Sequence, residues 1–368
     1  MRAAQAVAAA LSELSTGSDL RVEDLLERGA PLYRHLYRSA YLFLARRFPR
    51  LLDHLYAFSD SMPFGLSRLL PVIDRLPFRE FLGRLAQDPP DLVLCTHFLP
   101  LEILAPLRLS GALPAPLWAI VTDLHPHGIW LWPGVDHYIV ADGESVGALR
   151  RRGCRATVSS PGIPVHPDFS KVAERKLLLG RLGLPDRRTV LVLSGGEGVG
   201  DLPAALDSFA GFPGELTLIA IAGKNATLLE ACHRWARTHE SRWLTVRTMG
   251  FVDNMADWMA ASDVMVTKPG GLTLFEAMAL GKPLVLLPAR GGQEVINRRW
   301  AIASGAAVGC DATRRAGSVV RTLFSDPDCL SRMATASSRA GRPEAATLIA
   351  RDVLRCLVPE SIHDRRLS

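Results

Sequence analysis

Short apolar runs, separated by segments with helical spacing or by stretches rich in glycine, proline and charge, recur along the whole chain. In the first part, 91–96 (DLVLCT), 117–122 (LWAIVT) and 136–141 (DHYIVA) read as buried strands of a parallel sheet. In the second, Thr189–Leu193, Leu216–Ala222, Leu244–Val246, Val264–Thr267 and Leu284–Leu287 repeat the theme, with helices between them. Such alternation predicts an α/β chain with two Rossmann-like, doubly wound domains, whose ligands bind beyond the carboxyl ends of the strands. The stretch Pro161–Asp186, with proline and glycine at its start and charge in its middle, reads as a linker. The domains are therefore placed at 1–165 and 186–368, with a linker at 166–185 and a last helix in the C-terminal domain. The run from Met1 to Leu11 imitates a signal peptide, but Gln5 interrupts it, and an amphipathic first helix ending within Ser12–Gly17 is the expectation.

The most informative stretch is Val264–Asn297. A β-branched run is broken by Pro269-Gly270-Gly271, a helical segment follows over Leu272–Leu280, and Gly281-Lys282-Pro283 stops it before the next apolar strand. A glycine pair ahead of a helix lets a phosphate reach bare backbone N–H groups at the positive end of the helix dipole. The pair here is Gly270-Gly271. Gln293 and Glu294 offer an amide and a carboxylate for sugar hydroxyls. A plainer reading stands beside this one: Thr273-Leu274-Phe275-Glu276 also fits a capping box that satisfies only the helix's own N–H groups. A second glycine loop, Ser194-Gly195-Gly196-Glu197-Gly198-Val199-Gly200, follows another strand and permits the same close approach.

Several further segments occur in order: Val121-Thr-Asp123-Leu-His-Pro-His127-Gly-Ile-Trp130, Gly134-Val-Asp136-His-Tyr138, Gly162-Ile-Pro-Val-His-Pro167, Gly223-Lys-Asn225 and Gly250-Phe-Val252. With the two glycine loops, they make the chain resemble the glycosyltransferases that form glycosyl-diacylglycerols. These are the monogalactosyldiacylglycerol synthases and processive diacylglycerol glucosyltransferases, related more distantly to the N-acetylglucosaminyltransferase that makes lipid II. The resemblance implies the GT-B architecture, two Rossmann-like domains facing across a cleft. It implies a UDP-hexose co-substrate, with glucose or galactose as the sugar, a lipid acceptor such as diacylglycerol, no tightly bound cofactor and no obligatory metal; no Asp-x-Asp motif is present. By the same resemblance, Gly195, Gly196, Gly198, Gly223 and Asn225 line the donor phosphates. Gly270, Gly271, Leu272 and Thr273 present N–H groups to the diphosphate, and Lys268 is either a solvated surface residue or a cation beside it. Phe251 and Val252 wall the base, Glu276 grips the ribose, and Gln293 and Glu294 read the hexose. Asp123, which directly follows a strand, is the candidate base or acceptor-orienting group. His127 fits a family position near the acceptor, and His97 and Trp130 join it there. His125 and His137 are expected on the surface or in the core.

Members of the resembled family begin with a strand and a Gly-x-Gly-His turn that carries the usual catalytic histidine. Here Ala3-Ala4-Gln5-Ala6-Val7 matches the helix after that turn, and Met1 falls just past the histidine's place. Either the start lies further upstream, or the chain lacks that base and binds nucleotide sugar or lipid without turnover. A third alternative keeps the chemistry and changes the substrates, to UDP-N-acetylglucosamine and a polyprenyl-linked acceptor.

Composition narrows the setting. The 368 residues suffice for two cores, and no apolar run reaches the roughly 18–20 residues that span a bilayer. Six dispersed cysteines without a CxxC pair indicate free thiols in a reducing cytoplasm. The net charge of +6 is concentrated between Pro31 and Phe58, where Arg34, Arg38, Arg46, Arg47 and Arg50 face one acid, Asp53, among tyrosines and phenylalanines. Leu32, Leu36, Ala40 and Leu44 recur there at helical spacing, which suits either a core-packed surface helix or an anionic membrane surface. A lipid acceptor favours the membrane, and with it a peripheral location on the inner face. Nucleic acid is excluded as a partner, because the basic residues form no array tied to a zinc finger, helix-turn-helix or stacking sheet.

Overall fold

The structure, a computed structural model, describes residues 1–31, 33, 35, 60, 76–195, 198, 201–289 and 291–357. It divides into two compact units, one comprising Met1–Pro167, Gly291–Gln293 and Glu344–Ser368, the other Asp168–Arg290 and Glu294–Pro343. The expected arginines 34, 38, 46 and 47, and Gly196 of the Ser194–Gly200 loop, lie outside the described residues.

The first unit opens with helices α1 (Arg2–Leu14), α2 (Leu25–Arg28) and α3 (Arg79–Gln87). After them come β1 (Val93–Cys95), α4 (Phe98–Leu109), β2 (Leu117–Ile120), β3 (His137–Ile139), α5 (Gly143–Arg151) and β4 (Thr157–Ser159). The four strands pair in parallel in the order β1-β2-β3-β4, with Val93 opposite Leu117 and Trp118 opposite His137. Alternation along β2 splits the core between two faces. Leu117, Ala119 and Val121 join Leu101 and Leu104 of α4, Trp130 and Tyr138 in one cluster. Trp118 and Ile120 join Ile139 in the other, covered by Ala6, Val7, Ala10 and Leu11 of α1.

The second unit holds α6 (Arg175–Arg181), β5 (Thr189–Leu193), α7 (Leu202–Asp207), β6 (Leu216–Ile221), α8 (Ala226–His239), β7 (Leu244–Met249) and α9 (Met255–Ala261). It continues with β8 (Val264–Thr267), α10 (Gly271–Ala279), β9 (Leu284–Leu286), α11 (Gly292–Ala303), β10 (Ala307–Gly309), α12 (Ala316–Ser325) and α13 (Pro327–Ala340). All six strands are parallel, in the order β10-β9-β8-β5-β6-β7. The chain runs outward from β5 to β7 and then returns to lay β8 beside β5, so the strand order reverses between those two. Every residue of β5, β6, β8 and β9 is buried, as a parallel sheet covered on both faces requires.

Three features differ from the sequence reading in detail. Strands β4 and β10 were not anticipated; each is three residues long and only partly buried. The stretch read as linker contains a 3-10 turn at Pro167–Ser170 and helix α6. The last helix, α14 (Ala345–Leu357), lies with the first unit, where Ala346, Ile349, Ala350 and Val353 join the α1 cluster beneath β2 and β3. Alanines at the α1–α14 contact let the two helices cover that face together. No described helix is long and apolar enough to cross a membrane, and all six cysteines are free thiols.

The burial of α14 gives a direct test. Ile349→Ala, at a fully buried position, is expected to destabilise the first unit by about 2–5 kcal/mol. Leu348→Ala, whose side chain is 41% exposed, is expected to change stability by less than about 0.5 kcal/mol. Denaturant unfolding followed by circular dichroism reads both, and equal effects would contradict this packing.

Candidate active site

In the second unit, the loops after β5 and β8 emerge side by side at the carboxyl ends of adjacent strands. After β5 the chain passes through a buried Ser194 to Gly195 and Gly198, at φ 82° and 63°, with the Gly198 N–H donating to the Gly195 carbonyl at 3.0 Å. Gly198 is required by more than its dihedral. A Cβ there would sit 2.4 Å from the Asn225 Cβ and 2.5 Å from the Ala222 carbonyl oxygen. Asn225 holds this loop in place: its Nδ2 donates to the Gly198 carbonyl at 3.0 Å while its Oδ1 caps α8 by accepting from Leu228 N–H at 3.0 Å. Gly223, just before it, also has positive φ, at 65°.

The loop after β8 closes against the first. A Cβ on Gly195 would meet the Lys268 Cε at 3.3 Å, so the two glycine-bearing loops are in contact. Lys268 Nζ lies 3.2 Å from Glu294 Oε1, and the Gly270 N–H turns back onto the Lys268 carbonyl at 2.8 Å. Helix α10 starts at Gly271 with Gly270 as its N-cap, which supplies no side-chain hydrogen bond. Thr273 is therefore the third residue of the helix and not its cap, and the capping box suggested by Thr273 and Glu276 does not form. The first-turn N–H groups of Gly271, Leu272 and Thr273 precede the first intrahelical bond, from Leu274 N–H to the Gly270 carbonyl. Within that helix Glu276 is a buried carboxylate, 6% exposed. Beyond β7, Phe251 stands half exposed with the Lys224 ammonium 5.5 Å from its ring centroid, and Val252 is half-buried beside it. Gln293 belongs to the first unit, where its Nε2 donates to the His125 carbonyl at 3.1 Å.

The first unit gathers His97, Asp123, His127 and Trp130 after strands β1 and β2. His97 caps α4 by accepting the Leu99 N–H at Nδ1 (3.2 Å), and its ring stacks on Phe98 at 4.2 Å. Phe98 in turn meets Trp130 edge-on at 6.4 Å. Burial lowers the His97 pKa, opposed by Asp24. Trp130 is fully buried, and its indole N–H donates to Asp123 Oδ2 at 2.7 Å. Burial raises the Asp123 pKa, opposed by that indole hydrogen bond and by His127. Asp123 is thus a carboxylate poised to take a proton more readily than an ordinary aspartate.

His127 sits differently. Its Nδ1 accepts the Ile129 N–H at 3.1 Å, which leaves the ring proton on Nε2, facing Asp60 Oδ1 at 3.6 Å. Asp60 was not singled out from the sequence. Its carboxylate accepts the Gly128 N–H at 2.8 Å and the Arg152 guanidinium at 2.8 Å, and Arg152 also donates to its main-chain carbonyl at 3.0 Å. Burial alone would raise the Asp60 pKa, but the Arg152 and Gly128 hydrogen bonds and the His127 and Arg152 charges bring it below the ordinary value. Tyr138, inside one of the quoted motifs, is the other unforeseen contributor. Its hydroxyl accepts from the Trp132 N–H at 2.9 Å and donates to the Trp130 carbonyl at 3.1 Å, fixing the turn that carries Trp130. Both nitrogens of His127 are thus turned onto the loop and Asp60. His125 is exposed, whereas His137 contacts Ser159 at 2.8 Å and Trp118 in the sheet. No group of three or more metal-ligating side chains occurs among the described residues.

Residues 1–165 match the family model described as monogalactosyldiacylglycerol (MGDG) synthase, and 189–347 match the glycosyltransferase family 28 C-terminal domain. A processive diacylglycerol beta-glucosyltransferase of Staphylococcus carnosus is 28% identical over 69% of this chain, and the match spans 64% of that protein's length. The protein of the same name in Bacillus subtilis is 25% identical over 91% of this chain and 86% of its own. Among solved structures, the S. aureus MnaA–UDP complex aligns with a TM-score of 0.59 at 14% identity, covering 78% of this chain and 82% of that one. The shared fold is GT-B, two parallel α/β domains.

The steric role of Gly198 is open to experiment. Gly198→Ala must adopt positive φ and displace Asn225, and is expected to cost about 1–3 kcal/mol. Thermal unfolding of the purified variant measures this; an unchanged midpoint would show that the loop does not depend on the close approach.

Proposed function

We propose that this chain, whose residues 1–165 match the monogalactosyldiacylglycerol synthase model and 189–347 the glycosyltransferase family 28 C-terminal domain, transfers glucose or galactose from a UDP-hexose to diacylglycerol or a related lipid. The observation that carries this reading is the contact between the two glycine loops where the second sheet's strand order reverses, above a helix start with no side-chain cap. Open α/β sheets bind ligands at such a reversal, and a helix start of this kind suits a diphosphate.

In this reading, the N–H groups of Gly271, Leu272 and Thr273 hold the diphosphate, with Lys268 as the adjacent cation. Glu276 accepts the ribose hydroxyls, Phe251 and Val252 wall the uracil, and Gln293 and Glu294 read the hexose. Gly195, Gly196, Gly198, Gly223 and Asn225 shape the neighbouring loop. A glycerol hydroxyl attacks the anomeric carbon and gives its proton to Asp123, while the bond from that carbon to the phosphate oxygen breaks and UDP leaves with the electron pair. Fixed N–H donors stabilise the charge that grows on the departing diphosphate, so the step draws on no bound metal. Trp130 sets the basicity of Asp123, and His127 and His97 shape the acceptor side. Arg34, Arg38, Arg46 and Arg47 would meet anionic headgroups, placing the protein peripherally on the cytoplasmic face of the membrane.

Two experiments test this. Incubation of the purified chain with radiolabelled UDP-glucose or UDP-galactose and diacylglycerol vesicles is expected to yield a labelled glycolipid with one of the donors. Absence of labelled lipid with both would sink the proposal. The second concerns pH. Asp123 acts as a base only when ionised, so activity falls as pH drops through its pKa, and burial sets that acid limb above the ordinary aspartate value. Trp130→Phe removes a hydrogen bond to the carboxylate and is expected to move the limb to still higher pH. A limb that stays put or moves down would remove Asp123 from the role of base.

A further inference from the structure

Asn297 lies on α11, 4% exposed. Its Nδ2 donates to the Pro269 carbonyl at 3.1 Å, while its Oδ1 is buried with no hydrogen-bond partner among the described residues. An amide buried with its acceptor unused is unfavourable, and packing alone would select a carbon side chain of similar size. Its side chain donates, among the described residues, to Pro269, the residue before the N-cap of α10.

Glu294, three positions earlier on α11, shares a helix face with Asn297 and ion-pairs with Lys268. Two consecutive residues of the turn are thereby held from the same helix, Lys268 through its side chain and Pro269 through its main chain. The Gly270 N–H is folded back onto the Lys268 carbonyl, and the next three N–H groups are those that open α10.

We propose that Asn297 is a positioning residue for the donor's diphosphate. By fixing the Pro269 carbonyl, it sets the direction in which the first turn of α10 presents its N–H groups. The inference rests on the UDP reading above and adds to it a residue assigned no contact with the nucleoside or sugar. Its effect therefore falls on phosphate recognition and leaves nucleoside recognition alone.

The test compares UDP with uridine, which lacks the diphosphate. Calorimetry with UDP and ligand-detected NMR titration with uridine are run on the wild-type chain and on Asn297→Ala, with thermal midpoints recorded alongside. The variant is expected to bind UDP about ten-fold more weakly, with uridine affinity held within about two-fold, the scale expected of an uncoupled site. Equal losses for both ligands, or unchanged UDP affinity, would overturn the proposal while leaving the wild-type UDP site standing. A wild-type chain that binds no UDP would instead remove the functional reading and this role together. Asn297→Ser, a smaller polar replacement, is read the same way if the alanine variant does not fold.

Discussion

A parallel sheet whose strand order reverses leaves two neighbouring strands with connections departing in opposite directions, and the second unit is organised around that constraint. Between β5 and β8 the outgoing loops cannot be covered by one crossover helix, so they meet each other. The glycines there serve proximity as much as dihedral freedom. Lys268 packs where a Gly195 side chain would stand, and Asn225 occupies the space a Gly198 side chain would need. At Gly195, Gly198 and Gly270 the loops present main-chain N–H and carbonyl groups without a side chain over them. A helix start capped by a glycine extends the same logic, because a serine or aspartate cap would spend on the helix the donors that an anion can use.

Most of this frame was legible in the sequence, because buried parallel strands read as continuous apolar runs and glycine loops punctuate them. What escaped notice did so for physical reasons. Strands β4 and β10 are short and partly exposed, so they lack the apolar signal of the central strands. The amphipathic pattern of α14 shows that it covers something, but periodicity does not name the sheet, and only the packing against α1 and Trp118 assigns it to the first unit. The Thr273–Glu276 spacing satisfies a capping rule that depends on where the helix begins, which local sequence leaves open. Local pattern suggested a phosphate at the Gly270-Gly271 turn and sugar hydroxyls at Gln293 and Glu294, while UDP, the lipid acceptor and most residue roles came from resemblance to known transferases. Composition alone reaches no further than two α/β domains.

Side-chain networks were the least legible layer. Asp60 lies 68 positions before Gly128, and nothing in its neighbourhood marks it as the carboxylate that anchors the His127 loop. Asn297 likewise looks like any polar helix residue until its burial and its bond to Pro269 are seen together. Such groups act by fixing others, and sequence spacing carries no record of which backbone carbonyl a distant amide will meet.

The first unit shows why fixing matters to a carboxylate whose pKa is shifted. Burial disfavours the charged form of a carboxylate, and Asp123 shows that effect in a raised pKa. One strong donor, the Trp130 indole, opposes the shift and favours the charged form without neutralising it as an arginine would. That compromise works only if the indole cannot move. Tyr138 holds the Trp130 carbonyl, Asp60 holds the Gly128 N–H at the start of the same turn, and Phe98 packs on the ring edge. Arg152 in turn keeps Asp60 charged and in place. The environment of one carboxylate therefore depends on a chain of contacts extending beyond α5 to Arg152, and that chain fixes its geometry.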